Sequence, residues 1–303
     1  MTVKVTFAPN SPFGGDDMIG VIDFISTGSV LNVFSPSFLS LNGLYNGFSA
    51  SAGINGTGFS LGMIGTDTYV TAGIIDTINF TSRGSTVTFE NVAINLAVLT
   101  PIIFADETGS DPFGIENFML NLAWDITFSD NADVLNAKSL IGDGVKFNPK
   151  MNDIVHGMGG NDDLFTGDGN DILTGDSGHD KLDGGRGHDN VSGGTGRDTV
   201  RGGAGNDTLS GGGAKDILIG GKGNDRFVFA NNSGLDKVRD FNALNNKEDI
   251  DLSAVTRIKG FKDLKNNHMS QVGDNVVIDD NANTKIVLID TLLSDLGAKD
   301  FIF

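Results

Sequence analysis

A chain of 303 residues has room for one large or two ordinary domains. Its 39 acidic against 21 basic residues leave a formal net charge of −18, which excludes electrostatic attraction to nucleic acid. The acidic set is 35 Asp and only 4 Glu, beside 43 Gly and no Cys. This excludes long Glu- and Lys-rich helices, disulfides, thiolate nucleophiles and Cys-ligated zinc. Asp and Gly favour turns, and Asp is the shorter, stiffer carboxylate for holding a hard cation close to the backbone. The 39% hydrophobic content is enough for a core.

The opening MTVKVTFAPNSPFGG lacks the charged n-region and long apolar h-region of a cleavable signal peptide. The longest apolar run, Ala97 to Ala105, is broken by Thr100 and Pro101 and is too short to span a bilayer. Residues 1–147 carry 14 acidic and 4 basic residues and no histidine. Thr68–Thr71, Thr77–Thr81 and Ser85–Phe89 are rich in β-branched and aromatic residues, with Arg83-Gly84 as a turn. This predicts an N-terminal β-domain, a sandwich or roll. Phe34, Phe38, Phe48, Phe59 and Phe80 make it the better candidate for an interface.

Gly58-Phe59-Ser60-Leu61-Gly62 fits G-x-S-x-G, but that elbow needs a strand–Ser–helix context and a following Asp and His. Glycines surround Ser60, and His156, His179, His188 and His268 all lie beyond this domain. H-E-x-x-H is absent. No catalytic or organic cofactor-binding residue is assigned. Asp125, Asp130 and Asp133 with Asp106, Glu107 and Asp111 are read as solvated loop carboxylates, with a further Ca²⁺ site as the alternative.

From residue 148 a nine-residue period takes over. Asp153, Asp162, Asp171, Asp180, Asp189, Asp198, Asp207, Asp216 and Asp225 follow at nine-residue intervals. Two places after each stands an apolar residue, from Val155 and Leu164 to Leu218 and Phe227. Glycine-rich stretches precede the Asp, as in Gly202-Gly203-Ala204-Gly205-Asn206-Asp207. Three residues such as Thr208-Leu209-Ser210 make a short strand, its middle side chain facing inward. The other six make a turn in which glycine admits positive φ. Two repeats complete one coil of a parallel β-roll, with coils about 4.8 Å apart. Asp171, Asp189, Asp207 and Asp225 then stack on one edge and Asp162, Asp180, Asp198 and Asp216 on the other. Carboxylates so close repel unless a cation lies between them. Several oxygen ligands, partly main-chain carbonyls, describe Ca²⁺ rather than a transition metal.

These repeats resemble the RTX (repeats-in-toxin) calcium-binding family of type I-secreted bacterial proteins. The resemblance implies Ca²⁺ ligation by the eight Asp residues from Asp162 to Asp225, leaving out Asp153, whose repeat lacks its glycines. Met158, in place of a second glycine, and Ala214-Lys215, before Asp216, are further departures. Outward positions are polar in the middle repeats but apolar towards the ends, at Phe165, Ile172, Ile217, Ile219 and Val228. Flanking segments are expected to dock there as caps.

Residues 231–303 alternate apolar and polar at Gly234–Phe241 and Glu248–Ser253. Further strands are expected at Val276–Ile278 and Lys285–Ile289, and a short helix at Thr291–Leu296. The pattern resembles the C-terminal β region of serralysin-type proteins, and Asp300-Phe301-Ile302-Phe303 resembles their uncleaved type I secretion signal.

The fold expected is all-β: an N-terminal β-domain over 1–147, a calcium-binding parallel β-roll over 148–230 and a C-terminal β cap over 231–303. The function expected is that of a secreted, non-enzymatic, calcium-dependent protein of a surface layer, biofilm matrix or adhesin. Its expected partners are Ca²⁺, the type I secretion machinery, and either further copies of itself or cell-surface or matrix polysaccharide; nucleic acid and a transmembrane segment are not expected. The alternative is a small secreted hydrolase or a carbohydrate-binding module with its site in 1–147.

Overall fold

The structure, a computed structural model, describes residues 2–7, 29–35, 38–45, 48–64, 67–82, 85–95, 123–127, 134–135, 140–141, 145–146, 148–244 and 247–303. The chain forms two compact units, residues 1–153 and 154–303.

In the first unit the described strands form an antiparallel meander: Ser29–Ser35, Phe38–Tyr45, Phe48–Ile64, Asp67–Ser82 and Ser85–Asn95. Thr2–Phe7 adds to its last strand antiparallel, and Ala123–Thr127 lies parallel to Thr2–Phe7. The two short β runs expected within 68–81 are one strand of 16 residues. Ser60 lies inside the strand Phe48–Ile64 and pairs with Ala72, so it does not stand at a strand–helix elbow. Arg83-Gly84 and Asp106, Glu107, Asp111, Asp130 and Asp133 lie outside the described residues, as do the side chains of Asp125 and of the five phenylalanines named above.

The second unit is the roll. Its strands pair in parallel with partners 18 residues on: Ile172↔Asn190, Asn190↔Thr208 and Thr208↔Arg226 in one sheet. Lys181↔Thr199 and Thr199↔Ile217 do so in the other. Between the sheets lies a thin core of one apolar side chain per repeat. Leu173, Val191, Leu209 and Phe227 form one column and Leu182, Val200 and Leu218 the other, none above 2% exposed.

The ladders reach further than a three-residue strand. Lys181–Arg186 and Asn190–Gly196 run on into the glycine turns, where Gly185↔Gly203 and Gly194↔Gly212 also pair. Such stacking leaves no room for a Cβ: one on Gly205 (φ +141°) would sit 1.6 Å from the Gly187 carbonyl oxygen of the preceding coil. Where glycine is missing the backbone keeps its conformation. Met158, Asp176 and Ala214 have φ of 68°, 64° and 105°.

Such strain costs of order 1–3 kcal/mol at a non-glycine residue. Ala214→Gly is therefore expected to raise stability by about 1 kcal/mol net of the extra freedom of the unfolded chain. Denaturant titration in saturating Ca²⁺ measures it.

Beyond Phe227 the same columns continue without the nonapeptide. Leu218↔Val238↔Leu288 and Phe227↔Ile250↔Phe301 extend the two sheets. Phe227 and Phe241 meet edge-on at 6.2 Å. The antiparallel strands Asn275–Asp279 and Met269–Val272 close one sheet. The residues resembling a secretion signal are part of this fold, with Asp300 and Phe301 buried and Phe301–Ile302 a strand. The helix expected over 291–296 is a single 3₁₀ turn, Leu293–Asp295. Phe261–His268, which carries no periodic signal in the sequence, forms an α turn running into a π turn. Of the outward apolar residues, Phe165, Ile217, Ile219 and Val228 are half-buried, while Ile172 is 43% exposed.

Candidate metal centre

Each repeat Asp closes its turn, and its carboxyl reaches back one coil. Oδ1 of Asp180 accepts the Asp162 N–H, that of Asp198 the Asp180 N–H, and that of Asp216 the Asp198 N–H, each at 2.9 Å. On the other edge Asp189, Asp207 and Asp225 accept from Asp171, Asp189 and Asp207 at 2.9–3.0 Å. The structure thus brings all eight expected residues together as two columns, with the edge assignment read from the sequence. All eight are 1–2% exposed.

The second oxygen is the informative one. Oδ2 of Asp180, Asp189, Asp198, Asp207, Asp216 and Asp225 is buried and makes no hydrogen bond. It occupies the space over the first glycine of its own turn: a Cβ on Gly184 would lie 2.5 Å from Asp189 Oδ2, and one on Gly202 2.4 Å from Asp207 Oδ2. The first glycine of the motif is therefore a space requirement of the carboxylate.

Burial and neighbouring carboxylates push these carboxyls up against the N–H bonds that pull them down. Asp207 and Asp216 rise to about 7 and Asp180 and Asp189 to about 6. A column of buried, hydrogen-bond-starved carboxylate oxygens is costly without a cation. Among the described residues no three acidic or imidazole side chains converge on one point. One carboxylate per coil on each edge, beside stacked turn carbonyls, fits a hard cation that takes main-chain oxygens, as Ca²⁺ does.

Outside each Asp column runs a second ladder. Asn161 Oδ1 accepts the His179 N–H, and His179 Nδ1 accepts the Arg197 N–H at 2.9 Å. Asn170, His188, Asn206 and Asn224 do the same on the other edge. The two histidines thus tie turns together one coil apart.

The sequence reading missed two acidic residues. Asp236, read as the polar face of a half-buried strand, is fully buried, while Leu235 is half-exposed. Its signal was Asp236-Lys237-Val238, the same Asp–x–apolar triplet 20 instead of 18 residues on. Asp240 takes the N–H groups of Gly220 and Gly221 at 2.9 and 2.8 Å. It supplies acceptors where the turn ladder of that edge ends.

A parallel roll with an acidic column on each edge defines a calcium-binding solenoid. Residues 156–191 and 192–227 each match the RTX calcium-binding nonapeptide repeat family, and this part of the chain is such an array. No curated protein matches the chain. Among solved structures it is similar to the extracellular lipase LipA from Serratia marcescens, with 17% identity and a TM-score of 0.26 over 60% of this chain and 40% of that one. It is also similar to the AlgE6R3 subunit of the Azotobacter vinelandii mannuronan C5-epimerase, with 24% identity and a TM-score of 0.20 over 51% of this chain and 79% of that one. The chain thus spans well under half the length of the lipase.

Proposed function

We propose that this is a secreted protein that folds on meeting extracellular Ca²⁺ and then works without catalysis, by assembly or adhesion. The observation that carries the calcium step is the pair of buried Asp columns, in which Oδ2 of Asp180, Asp189, Asp198, Asp207, Asp216 and Asp225 makes no hydrogen bond. Asp162, Asp171, Asp180, Asp189, Asp198, Asp207, Asp216 and Asp225 are its ligands, with turn carbonyls completing each shell. Three gaps between successive Asp residues on each edge take one ion each. Six divalent ions would offset about two thirds of the formal charge of −18.

In a calcium-poor cytosol the columns repel and the repeat region stays threadable for a type I exporter. Outside, sites of about 10⁻⁴–10⁻³ M affinity fill and folding is coupled to binding. Among the described residues no helix is long and apolar enough to cross a membrane. The assembly or adhesive role, towards further copies or a surface polysaccharide, belongs to residues 1–147, since the middle faces of the roll are polar. Ser60, inside a strand, gives the hydrolase alternative no elbow.

Charge neutralisation should let the folded protein associate. Light scattering of the full-length protein in a few millimolar Ca²⁺ is expected to show dimers or larger arrays that dissolve in chelator. A protein that stays monomeric in Ca²⁺ at high concentration overturns the assembly reading.

A further inference from the structure

We infer that one acidic column carries a further Ca²⁺ site beyond the nonapeptide array, between Asp216 and Asp236, built by a turn that does not read as a repeat. The inference rests on the reading above, that cations sit between successive buried Asp residues.

The register carries it. Asp216 N–H donates to Asp236 Oδ1 at 3.1 Å, the bond that ties every other pair along this edge. Lys237 N–H donates to the Asp216 carbonyl at 2.9 Å, as Thr199 N–H does to that of Asp180 at 2.8 Å. Val238 pairs with Leu218 and is fully buried, as the apolar residue two places after each repeat Asp is. The turn matches too. Gly234 has φ +96°, and a Cβ on it would lie 1.7 Å from the Ala214 carbonyl oxygen, the close approach that Gly205 makes to Gly187. In Asn231-Asn232-Ser233-Gly234-Leu235-Asp236 the fourth and sixth positions thus keep the motif, while Asn231 stands where the repeats carry their first glycine. It lies outside the matched array, which ends at residue 227.

An independent observation points to a ligand. Asp236 is 0% exposed and its Oδ2 makes no hydrogen bond, and the same is true of Asp216 Oδ2. Ser233 Oγ, 4% exposed, lies within hydrogen-bonding reach of the Asp236 carboxyl. Two carboxylate oxygens and a hydroxyl, all oxygen and all buried, form a donor set for a hard cation. The opposite edge ends differently. There Asp240 fills the turn N–H groups of Gly220 and Gly221, and Glu248 turns to accept the Asn242 N–H at 2.7 Å.

Calcium counting on the full-length protein tests the site, by elemental analysis after gel filtration and by calorimetry with Ca²⁺ alone. Asp236→Asn keeps the oxygen that accepts the Asp216 N–H and removes the charge. It is expected to bind one ion fewer per chain and to need severalfold more Ca²⁺ to fold. An unchanged ion count with unchanged calcium dependence overturns the site. A wild-type protein that binds no Ca²⁺ overturns the underlying reading instead. Should Asp236→Asn not fold, Ser233→Ala decides, because it removes one neutral oxygen of the site and leaves both carboxyls in place. With an ion present it raises the Ca²⁺ concentration needed for folding severalfold. With none, the ion count per chain and the Ca²⁺ affinity of the folded protein equal those of the wild type, and the site is refuted.

Discussion

Metal-stripped full-length protein at about pH 7.5 is expected to lose the roll, and a few millimolar Ca²⁺ to restore it. The core is one apolar side chain per repeat, and the outward positions Asn190, Ser192, Thr208 and Ser210 are polar, so hydrophobic burial per coil is small. Against it stand two columns of carboxylates with oxygens that neither water nor a donor reaches. The glycine turns cannot relieve this by swinging the carboxylate aside, because a coil's turn backbone already touches the next. Hydrogen exchange reads the result. Amides of Lys181–Lys222 should exchange at least about a thousandfold faster without metal, which corresponds to ~4 kcal/mol. Thr284–Leu288 and Phe301–Ile302 should lose protection with them, since these strands are built on Val238 and Ile250, the end of the same stack. Protection that survives metal removal would mean that the carboxylate columns are not what opposes folding.

How much of this was legible follows from where the period holds. Nine in-register Asp–x–apolar triplets dictate both the inward columns and the two edges, because a coil of 18 residues returns each Asp above its predecessor. The period fails at a two-residue insertion. Read as simple alternation, Gly234–Val238 puts Leu235 inward, yet the strand is phased by Asp236 beneath Asp216 and Val238 beneath Leu218. Pairing through the turns was invisible, since glycine says that a backbone comes close and not which backbone. Residues 261–268 hold Lys, Asn and Asp without apolar periodicity. Their helical turns are fixed by local bonds, among them Asp263 Oδ2 accepting from Lys259 N–H and Asp263 Oδ1 from Asn267 Nδ2. Phe301, read as part of an export tail, is held by Phe261 at 5.8 Å and by pairing to Ile250, contacts more than 35 residues away in sequence.

Acid is expected to replace part of the calcium requirement, with opposite sign in the two metal states. In the metal-free fold, burial raises Asp207 and Asp216 from 3.8 to about 7 and Asp180, Asp189 and Asp236 to about 6. Asp198 and Asp225 move the same way. A folded-state value above the unfolded one means that the native chain binds more protons. That contribution is complete below about pH 4 and disappears as the pH rises through 6–7. Asp251 and Asp279 are lowered by Ser253 and Arg226 and by Lys285 respectively, and they remain ionised at pH 5. Metal-stripped protein should therefore gain β structure and denaturant resistance between pH 7.5 and about 5, because protonation removes the repulsion within each column. Each tenfold displacement of a protonation equilibrium is worth ~1.4 kcal/mol, and seven carboxyls pull together against a domain stability of ~5–15 kcal/mol. Saturation with Ca²⁺ reverses the slope, because the ion needs ionised carboxylates and protons compete for them. Calcium-loaded protein should lose stability over the same interval, and binding near pH 7 should release protons detectable in weak buffer. Parallel pH slopes with and without Ca²⁺ would show that protons and calcium do not compete for the same oxygens, and the Asp columns would then not be the metal site.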